Sequence, residues 1–552
     1  MKTSKFKKIF AIVLTAAVGM SVLTGCGSST SGEKATTSEQ AITFNLGGDI
    51  KTLDPALNQA VDAGIVLSNV FEGLYKLDEN NKAIPGVAEK VDISTDGTVY
   101  TFHLQKDVKW SNGDTVKASD FEYAWKRVMN PETAAEYAYQ MYYVKNAEEY
   151  NAGTATADQV GVKAIDDNTL EVTLAAPCSY FLDLTAFPCY FPVNKTVVEG
   201  NKDWANSAST YVSNGAFKIT DYKIKDEIVL EKNDTYYAKD SVKLSKLDIK
   251  LVAEETSAWA SYKSGQFDMV YFVPKSEVQA AVKDGSAKIF PLLGTYYYSI
   301  NVSDKAKEVD PEAAKVLSDV KVRKALNLAI DRESIINNVT KGGQIAAHGF
   351  VPEGIKSKDG KDFAEKSYFD PKGNVEEAKK LLAEAGYPDG KGFPTIVLSV
   401  NPESGHGVAA QAIQDMWKTN LGINIELQSQ EWKVFQATRT EKNYEIARDG
   451  WIGDYTDPMT FLDMLEKKSG QNNAGYNNPE YDKLVDAAKV EQDATKRLEL
   501  LHKAEDMLME DMPIIPLYYY TQPLGIKDYV KDVRVSPLGF IYFDKAYIEG
   551  KK

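Results

Sequence analysis

From residue 41 to the carboxyl end the chain runs for about 510 residues with apolar patterning throughout, more than one hydrophobic core usually supports, so a body of two or three domains is expected. Its apolar period alternates between that of strands and that of helices. Residues 395–400 read as an apolar strand, residues 408–417 have helical spacing, and Ile423, Ile425 and Leu427 alternate. Strand, helix and strand at this length predict a parallel βαβ unit. Helices are expected over 322–339 and 375–385, the second with Glu376 four residues before Lys380 and Gly386 as its stop. Residues 91–104 predict a hairpin turning at Ser94, Thr95, Asp96 and Gly97, with Val99, Thr101 and His103 on one face and Tyr100, Phe102 and Leu104 on the other. Residues 120–129 read as a helix with Phe121, Ala124, Trp125 and Val128 on one side and Ser119 or Asp120 as cap. The fold class is α/β.

The amino end sets the compartment. Residues 2–8 carry four lysines and no acid, and residues 9–23 form an apolar run that ends in Leu23, Thr24, Gly25 and Cys26. A basic region before a short apolar one is an export signal. This run of fifteen residues is shorter than the roughly 20 a bilayer span needs. The small residues before Cys26 resemble the bacterial lipobox, so residues 1–25 are expected to be cleaved and Cys26 lipidated, an anchor and not a spanning helix. Residues 26–40 are small and polar and read as a flexible tether.

The formal charge is −15, and loss of residues 1–25 would make it more negative. That argues against nucleic acid as a partner and mildly favours cationic ligands. With Cys26 lipidated, only Cys178 and Cys189 remain, so this is no disulfide scaffold. Those two either pair in an oxidising exterior or stand as free thiols.

Several motifs imitate other chemistry. Asp92, Ser94 and Asp96 before Gly97 look like a calcium loop, but its twelfth position is His103 and not Glu, so the turn reading stands. Residues 386–392 imitate a phosphate loop but are one residue short and lack the Ser or Thr after Lys391, so a turn is expected. The four histidines (His103, His348, His406, His502) make no HExxH, and neither Gly-x-Ser-x-Gly nor a Ser-x-x-Lys set occurs. No catalysis, metal or cofactor is expected.

An ordered series of landmarks runs along the exported length: Thr52-Leu53-Asp54-Pro55-Ala56, Phe71-Glu72-Gly73-Leu74, Pro85-Gly86-Val87-Ala88-Glu89, Tyr100 to Leu104 with Trp110-Ser111-Asn112-Gly113, Asn214-Gly215-Ala216-Phe217, and Val322-Arg323-Lys324-Ala325-Leu326. In this order and spacing the sequence resembles the oligopeptide-binding lipoproteins, the family five extracellular solute-binding proteins of ABC peptide importers. The resemblance implies a two-lobed, periplasmic-binding-protein-like fold of type II, cluster C, with three domains and a hinged ligand cleft. By analogy, domain I comprises residues 41–72, 209–293 and 522–552, domain II residues 73–208, and domain III residues 294–521, hinged near Leu293 and Thr521. The implied partners are short peptides, the permease subunits of an ABC transporter and, through the lipid, the extracytoplasmic face of the cell membrane; a monomer is expected. The alternative is a same-fold receptor for a signalling peptide, an oligosaccharide or a metal chelate.

The resemblance also marks ligand residues. In the family motif Gly-Trp-x-x-Asp-Tyr, here Gly450 to Tyr455, the aspartate binds the peptide α-amino group; that residue is Asp454, whereas Asp457 suits a loop-capping role. A fixed carboxylate offsets the desolvation of an ammonium. Trp451 would lie along the bound chain, and Glu431-Trp432 matches a second family motif. Tyr137, Tyr297 and Tyr520 fall where the family has ligand-facing tyrosines, with core or surface packing as the alternative; for Trp432 the alternative is core packing. For the peptide carboxylate the resemblance points to Arg448, Arg439 and His406, the last open to an exposed loop position instead. A family lysine falls on Thr340, with Lys341 adjacent, which leaves the preferred peptide length open.

Overall fold

The structure, a computed structural model, describes residues 39–357, 360–401 and 405–551. The expected leader, Cys26 and the tether up to residue 38 lie outside the described residues. The strands that frame the molecule are, in chain order, β1 (Ala41–Asn45), β2 (Ala88–Ile93), β3 (Val99–Leu104), β4 (Val162–Asp166), β5 (Thr169–Thr173), β6 (Phe217–Lys223), β7 (Glu227–Lys232), β8 (Lys246–Lys250), β9 (Met269–Val270), β10 (Ala287–Ile300), β11 (Ile396–Val400), β12 (Ile425–Ser429), β13 (Ile446–Ile452) and β14 (Ile514–Ile526).

An 11-stranded sheet runs β12-β11-β13-β10-β14-β9-β1-β8-β7-β6, with a short strand at Ile345–Ala346 paired to β14 off that path. Its middle is made by β10 and β14, 14 and 13 residues long, rich in tyrosine and branched aliphatics and paired antiparallel. On one side of them lie strands from residues 396–452, on the other strands from residues 41–270. The β10–β14 register slips between Pro291 and Thr295 and again between Tyr296 and Tyr297. Pro291 has no N–H to give the ladder. Gly294 marks a close approach: a Cβ there would stand 2.7 Å from the Tyr520 ring and 2.9 Å from the Trp451 carbonyl. The ladder is thus interrupted where the two halves of the sheet join.

The predicted βαβ unit is present. Strands β11 and β12 pair in parallel, Ile396 opposite Ile425, and the helix His406–Leu421 connects them. Its buried Trp417 donates its indole N–H to the Leu326 carbonyl at 2.8 Å. The predicted hairpin is β2–β3, within an antiparallel sheet ordered β2-β3-β5-β4. Tyr100, Phe102 and Leu104 face the core while Val99, Thr101 and His103 are only part-buried, and His103 meets Asp92 at 2.8 Å. Gly97 supplies the positive φ of the turn, +70°.

Three local expectations are corrected. The helix predicted from residue 322 runs Val320–Leu328 and then breaks. Asp331 caps a new turn by accepting from the Ser334 N–H at 2.8 Å, and Arg332, fully buried, donates to the Pro516 carbonyl at 2.8 Å. A guanidinium drawn to carbonyls 184 residues away in sequence leaves no mark on the apolar period. In the helix Val375–Glu384, Lys380 pairs with Glu377 at 3.2 Å rather than with Glu376. The helix Ala118–Met129 starts before either proposed cap; Asp120 sits in its first turn, accepting from the Lys117 N–H at 2.9 Å and the Trp110 indole at 3.1 Å.

The landmark residues hold distant segments together. Asp54 takes both Nη groups of Arg127, at 2.8 and 2.5 Å. Glu72 accepts from the hydroxyls of Tyr236 and Tyr237, each at 2.5 Å, and Asn214 bonds to the Glu72 backbone on both sides, at 3.0 and 2.9 Å. Arg323 donates to the carbonyls of Leu317, Ser318 and Asp511, each at 2.9 Å. Cys178 and Cys189 are separate, buried thiols, so the pairing left open by the sequence is not formed. They sit in different surroundings, the Cys178 carbonyl receiving the Tyr100 hydroxyl and Cys189 lying in the turn Pro188–Tyr190. Among the described residues no helix is long and apolar enough to cross a membrane.

Candidate functional site

Strand β13 pairs with β10 from Gly294 to Ile300 and carries Arg448 and Trp451 to the joint of the sheet. The loop beyond it is pinned twice. The Gly453 N–H donates to the Leu293 carbonyl at 2.7 Å, and the Asp454 N–H donates to the Thr460 hydroxyl at 3.2 Å. This aims the Asp454 carboxylate into a cavity of about 490 Å³ that Trp451, Tyr139 and Tyr143 help to line. The Tyr139 hydroxyl donates to Asp454 at 3.3 Å. Among the described residues no lysine or arginine forms an ion pair with it. Burial pushes the Asp454 carboxyl from 3.8 up to about 6, against the opposing pull of hydrogen bonds from Tyr139 and Gln140. Tyr137 stands one ring away, its centroid 5.6 Å from that of Tyr139.

Asp457, three residues on, is compensated. Both its oxygens take Arg497 at 2.8 Å, and it accepts from the Met459 N–H at 2.9 Å, as the capping reading anticipates. The same loop therefore holds one aspartate whose charge is paired and one whose charge is not.

A second cluster gathers Arg448, Arg439, Trp432, His406 and Tyr520. The Arg448 guanidinium lies 5.3 Å from the Tyr296 ring centre and 6.0 Å from that of Trp432, and Arg439 lies 5.6 Å from Trp432 on its side. His406 stacks on Tyr296 at 5.4 Å and Tyr520 meets Tyr296 edge-on at 6.3 Å. Gly450 admits Tyr520, whose hydroxyl would be 2.5 Å from any Cβ there. The Nε atoms of Arg448 and Arg439 are both buried without a hydrogen-bond partner. Arg439 is already paired with Asp449, which also accepts from Ser299 at 3.0 Å and Asn473 at 2.9 Å. Arg448 forms no ion pair with a described carboxylate, so its charge is the one an incoming anion would meet.

Residues 82–473 match the model of the bacterial extracellular solute-binding proteins, family 5 (middle). The chain belongs to this family. As a family 5 solute-binding protein it is 39% identical to the oligopeptide-binding protein OppA of Bacillus subtilis over 98% of this chain and 100% of that one. It is 37% identical to the periplasmic oligopeptide-binding protein OppA of Salmonella typhimurium over 99% of each. Among solved structures it superposes on the unliganded open form of the periplasmic murein tripeptide binding protein MppA with a TM-score of 0.80 at 32% identity, covering 93% of this chain and 98% of that one. Haemophilus influenzae OppA in complex with the peptide RPPGFSPFR gives 0.69 at 32% identity over 93% and 99%.

The fold is thus the two-lobed α/β fold of these solute-binding proteins. Trp432 is 39% exposed, which removes its core alternative, and His406 is buried at the start of its helix, which removes the exposed-loop alternative. Tyr297 resolves the other way: 1% exposed, its ring edge-on to Phe350, it is a core residue and not a ligand-facing one. Tyr137 and Tyr520 are part-buried, the first beside the Asp454 cavity and the second beside Arg448. Sequence reasoning missed Tyr139 and Asp449. Tyr139 lies 315 residues from the carboxylate it touches, and no periodicity distinguishes it from Tyr137.

Proposed function

We propose that this family 5 protein is the peptide-binding subunit of an ABC-type importer, held on the extracytoplasmic face of the membrane by lipid on Cys26. It captures short peptides by their termini and backbone, delivers them to the permease subunits and carries out no reaction. The names of its relatives, oligopeptide-binding proteins of Bacillus subtilis and Salmonella typhimurium, support this reading. The observation that carries it is Asp454, a part-buried carboxylate facing a cavity at the sheet joint with no lysine or arginine paired to it among the described residues. An ammonium entering that cavity supplies the missing charge, and the two lobes exclude water around it. Arg448, with Arg439, His406 and Trp432 beside it, takes the carboxylate end, and Trp451 and Tyr520 flank the chain between. Main-chain recognition of this sort leaves side chains to roomy, wet pockets and so tolerates many sequences.

Closure is part of the proposal. The three-domain division with hinges near Leu293 and Thr521 agrees with the interrupted ladder at Pro291 to Thr295, where β10 and β14 cross from one half of the sheet to the other. The better match to an unliganded open form than to a peptide complex supports an open state here. Calorimetry with one tetrapeptide in free, N-acetylated and C-amidated forms tests the chemistry. The free form should bind, the acetylated form should fail, and amidation should cost less. Equal affinity for free and acetylated peptide would remove the role given to Asp454. Mass spectrometry of the ligand that co-purifies with the protein names the solute directly.

A further inference from the structure

The cavity at Asp454 is larger than one ammonium requires, and Asp454 is not the only acid in its lining. Asp463, from the turn Asp463–Leu465, and Glu466 line it with Asp454. The side-chain carboxyl of Asp463 receives no hydrogen bond from any described residue; burial, with Glu466 and Asp454 nearby, pushes it from 3.8 up to about 7 despite Lys489. The Glu466 side chain is 3% exposed. One of its oxygens pairs with Lys489, while the other, Oε1, is buried with no hydrogen bond. The Lys468 ammonium stands 3.3 Å from Oε1, unaligned for donation, on a side chain that is 66% exposed and engaged by Asp486 at 2.7 Å. The two lysines, Lys489 and the largely solvated Lys468, both act on Glu466, so the three carboxylates of the cavity stay in excess, and neither Asp454 nor Asp463 has an ion pair among the described residues.

A contrast shows that this is not a general property of the surface. A larger cavity of about 760 Å³ is lined by charges of both signs, Lys324, Lys366 and Lys503 with Asp506, Glu510 and Asp511, and two of its lysines already have an acid, Lys324 with Glu510 at 2.5 Å and Lys366 with Asp506. Nor do the Asp454 acids converge on a point: among the described residues no three His, Cys, Asp or Glu side chains group as a metal site. What fits is positive charge carried on a stem, whose methylenes can lie along the rings of Tyr142 and Tyr143 and against Met464.

We infer that this cavity takes a cationic side chain from the first residue of the peptide, lysine, ornithine or arginine, whose charged end meets Asp463 and Glu466 while Asp454 holds the α-ammonium. The inference rests on the peptide-binding reading above and adds a preference for basic first residues. Calorimetry of the full exported chain at pH 7.5 with Lys-Ala-Ala-Ala, norleucine-Ala-Ala-Ala and Glu-Ala-Ala-Ala tests it, because norleucine keeps the stem and removes the charge. The lysine peptide should bind roughly tenfold or more tighter than the norleucine peptide, with the glutamate peptide weakest. In Asp463→Asn and in Glu466→Gln the lysine-to-norleucine ratio should fall towards one. Equal affinity for lysine and norleucine peptides in the wild-type protein would overturn the inference while leaving peptide binding intact, and so would a preference that survives in both variants. No binding of any of the three would overturn the peptide-binding reading itself.

Discussion

Replacing Asp454 with asparagine should make the protein both more stable and a poorer receptor. The Asp454 carboxyl is raised from 3.8 to about 6 by burial. At about 1.4 kcal/mol per pH unit, holding it ionised at neutral pH costs the folded chain up to roughly 3 kcal/mol. A raised carboxyl favours the folded state fully below pH 3.8, and that contribution is lost as pH rises through about 6. Asp454→Asn keeps the size and removes the penalty, so at pH 7.5 its ligand-free form should melt a few degrees higher, by roughly the amount such an energy implies. The bound α-ammonium, however, loses its buried partner, a loss that typically costs about 2 to 5 kcal/mol, or roughly 30-fold to several-thousand-fold in affinity. The wild-type protein should also bind more weakly below pH 6, by up to roughly tenfold per pH unit, since the carboxylate must shed its proton while the ammonium stays charged. The variant should lack that pH step. Calorimetry at pH 7.5 and pH 5, with thermal melts of the empty proteins, reads all three effects. Unchanged affinity in the variant would refute the reasoning, whatever its melting temperature.

Arg497→Ala should cost about 3 to 5 kcal/mol by denaturant titration, because it strands Asp457 in a buried fork, and removing both partners should restore part of the loss; strict additivity of the two substitutions would contradict the pairing. Arg448→Met should weaken free peptide more than C-amidated peptide, whereas Arg439→Met should act mainly on stability by freeing Asp449; the reverse pattern would exchange their roles. Saturating peptide should reduce the radius of gyration in small-angle scattering, and an unchanged radius would argue against the hinge at β10 and β14. Cys26→Ser should move the protein from the membrane fraction into the medium with peptide affinity unchanged; continued membrane attachment after signal removal would end the lipid-anchor reading.

Elements whose fate is decided locally were legible in the sequence. The β2–β3 hairpin, the β11–helix–β12 unit and the apolar side of the helix Ala118–Met129 follow from periods of two and 3.6, since a side chain's face is set by its own position. What failed was set at a distance. The helix break after Leu328 answers to Arg332 reaching the Pro516 carbonyl. The landmark residues were visible by their order, but their purpose was not: Asp54 needs Arg127 and Glu72 needs Tyr236 and Tyr237 before either reads as a structural acid. At the site, Asp454 could be found because one short motif carries it. Tyr139 could not, and neither could the internal pairing of Arg439 by Asp449, which leaves the two arginines unequal.

That inequality is a rule the molecule applies more than once. Along β13, Asp449 is saturated by Arg439, Ser299, Asn473 and the Gly450 N–H, while its neighbour Arg448 projects to the other face with its Nε unpartnered. In the loop that follows, Asp457 is saturated by Arg497 while Asp454 is not. A charge neutralised within the fold fixes the position of the backbone that bears it. A charge enclosed but left without a partner raises the free energy of the empty protein and is relieved when a ligand brings the opposite charge. Alternating the two kinds along a single strand and loop holds the unpaired groups rigidly, so little ordering cost remains to be met when a peptide binds. The unpaired acid and the unpaired base lie on the same stretch, next to the interrupted β10–β14 ladder, so on the reading proposed above the charge that would draw in a peptide sits where the two halves of the sheet join, and its relief on binding would be available to drive their closure.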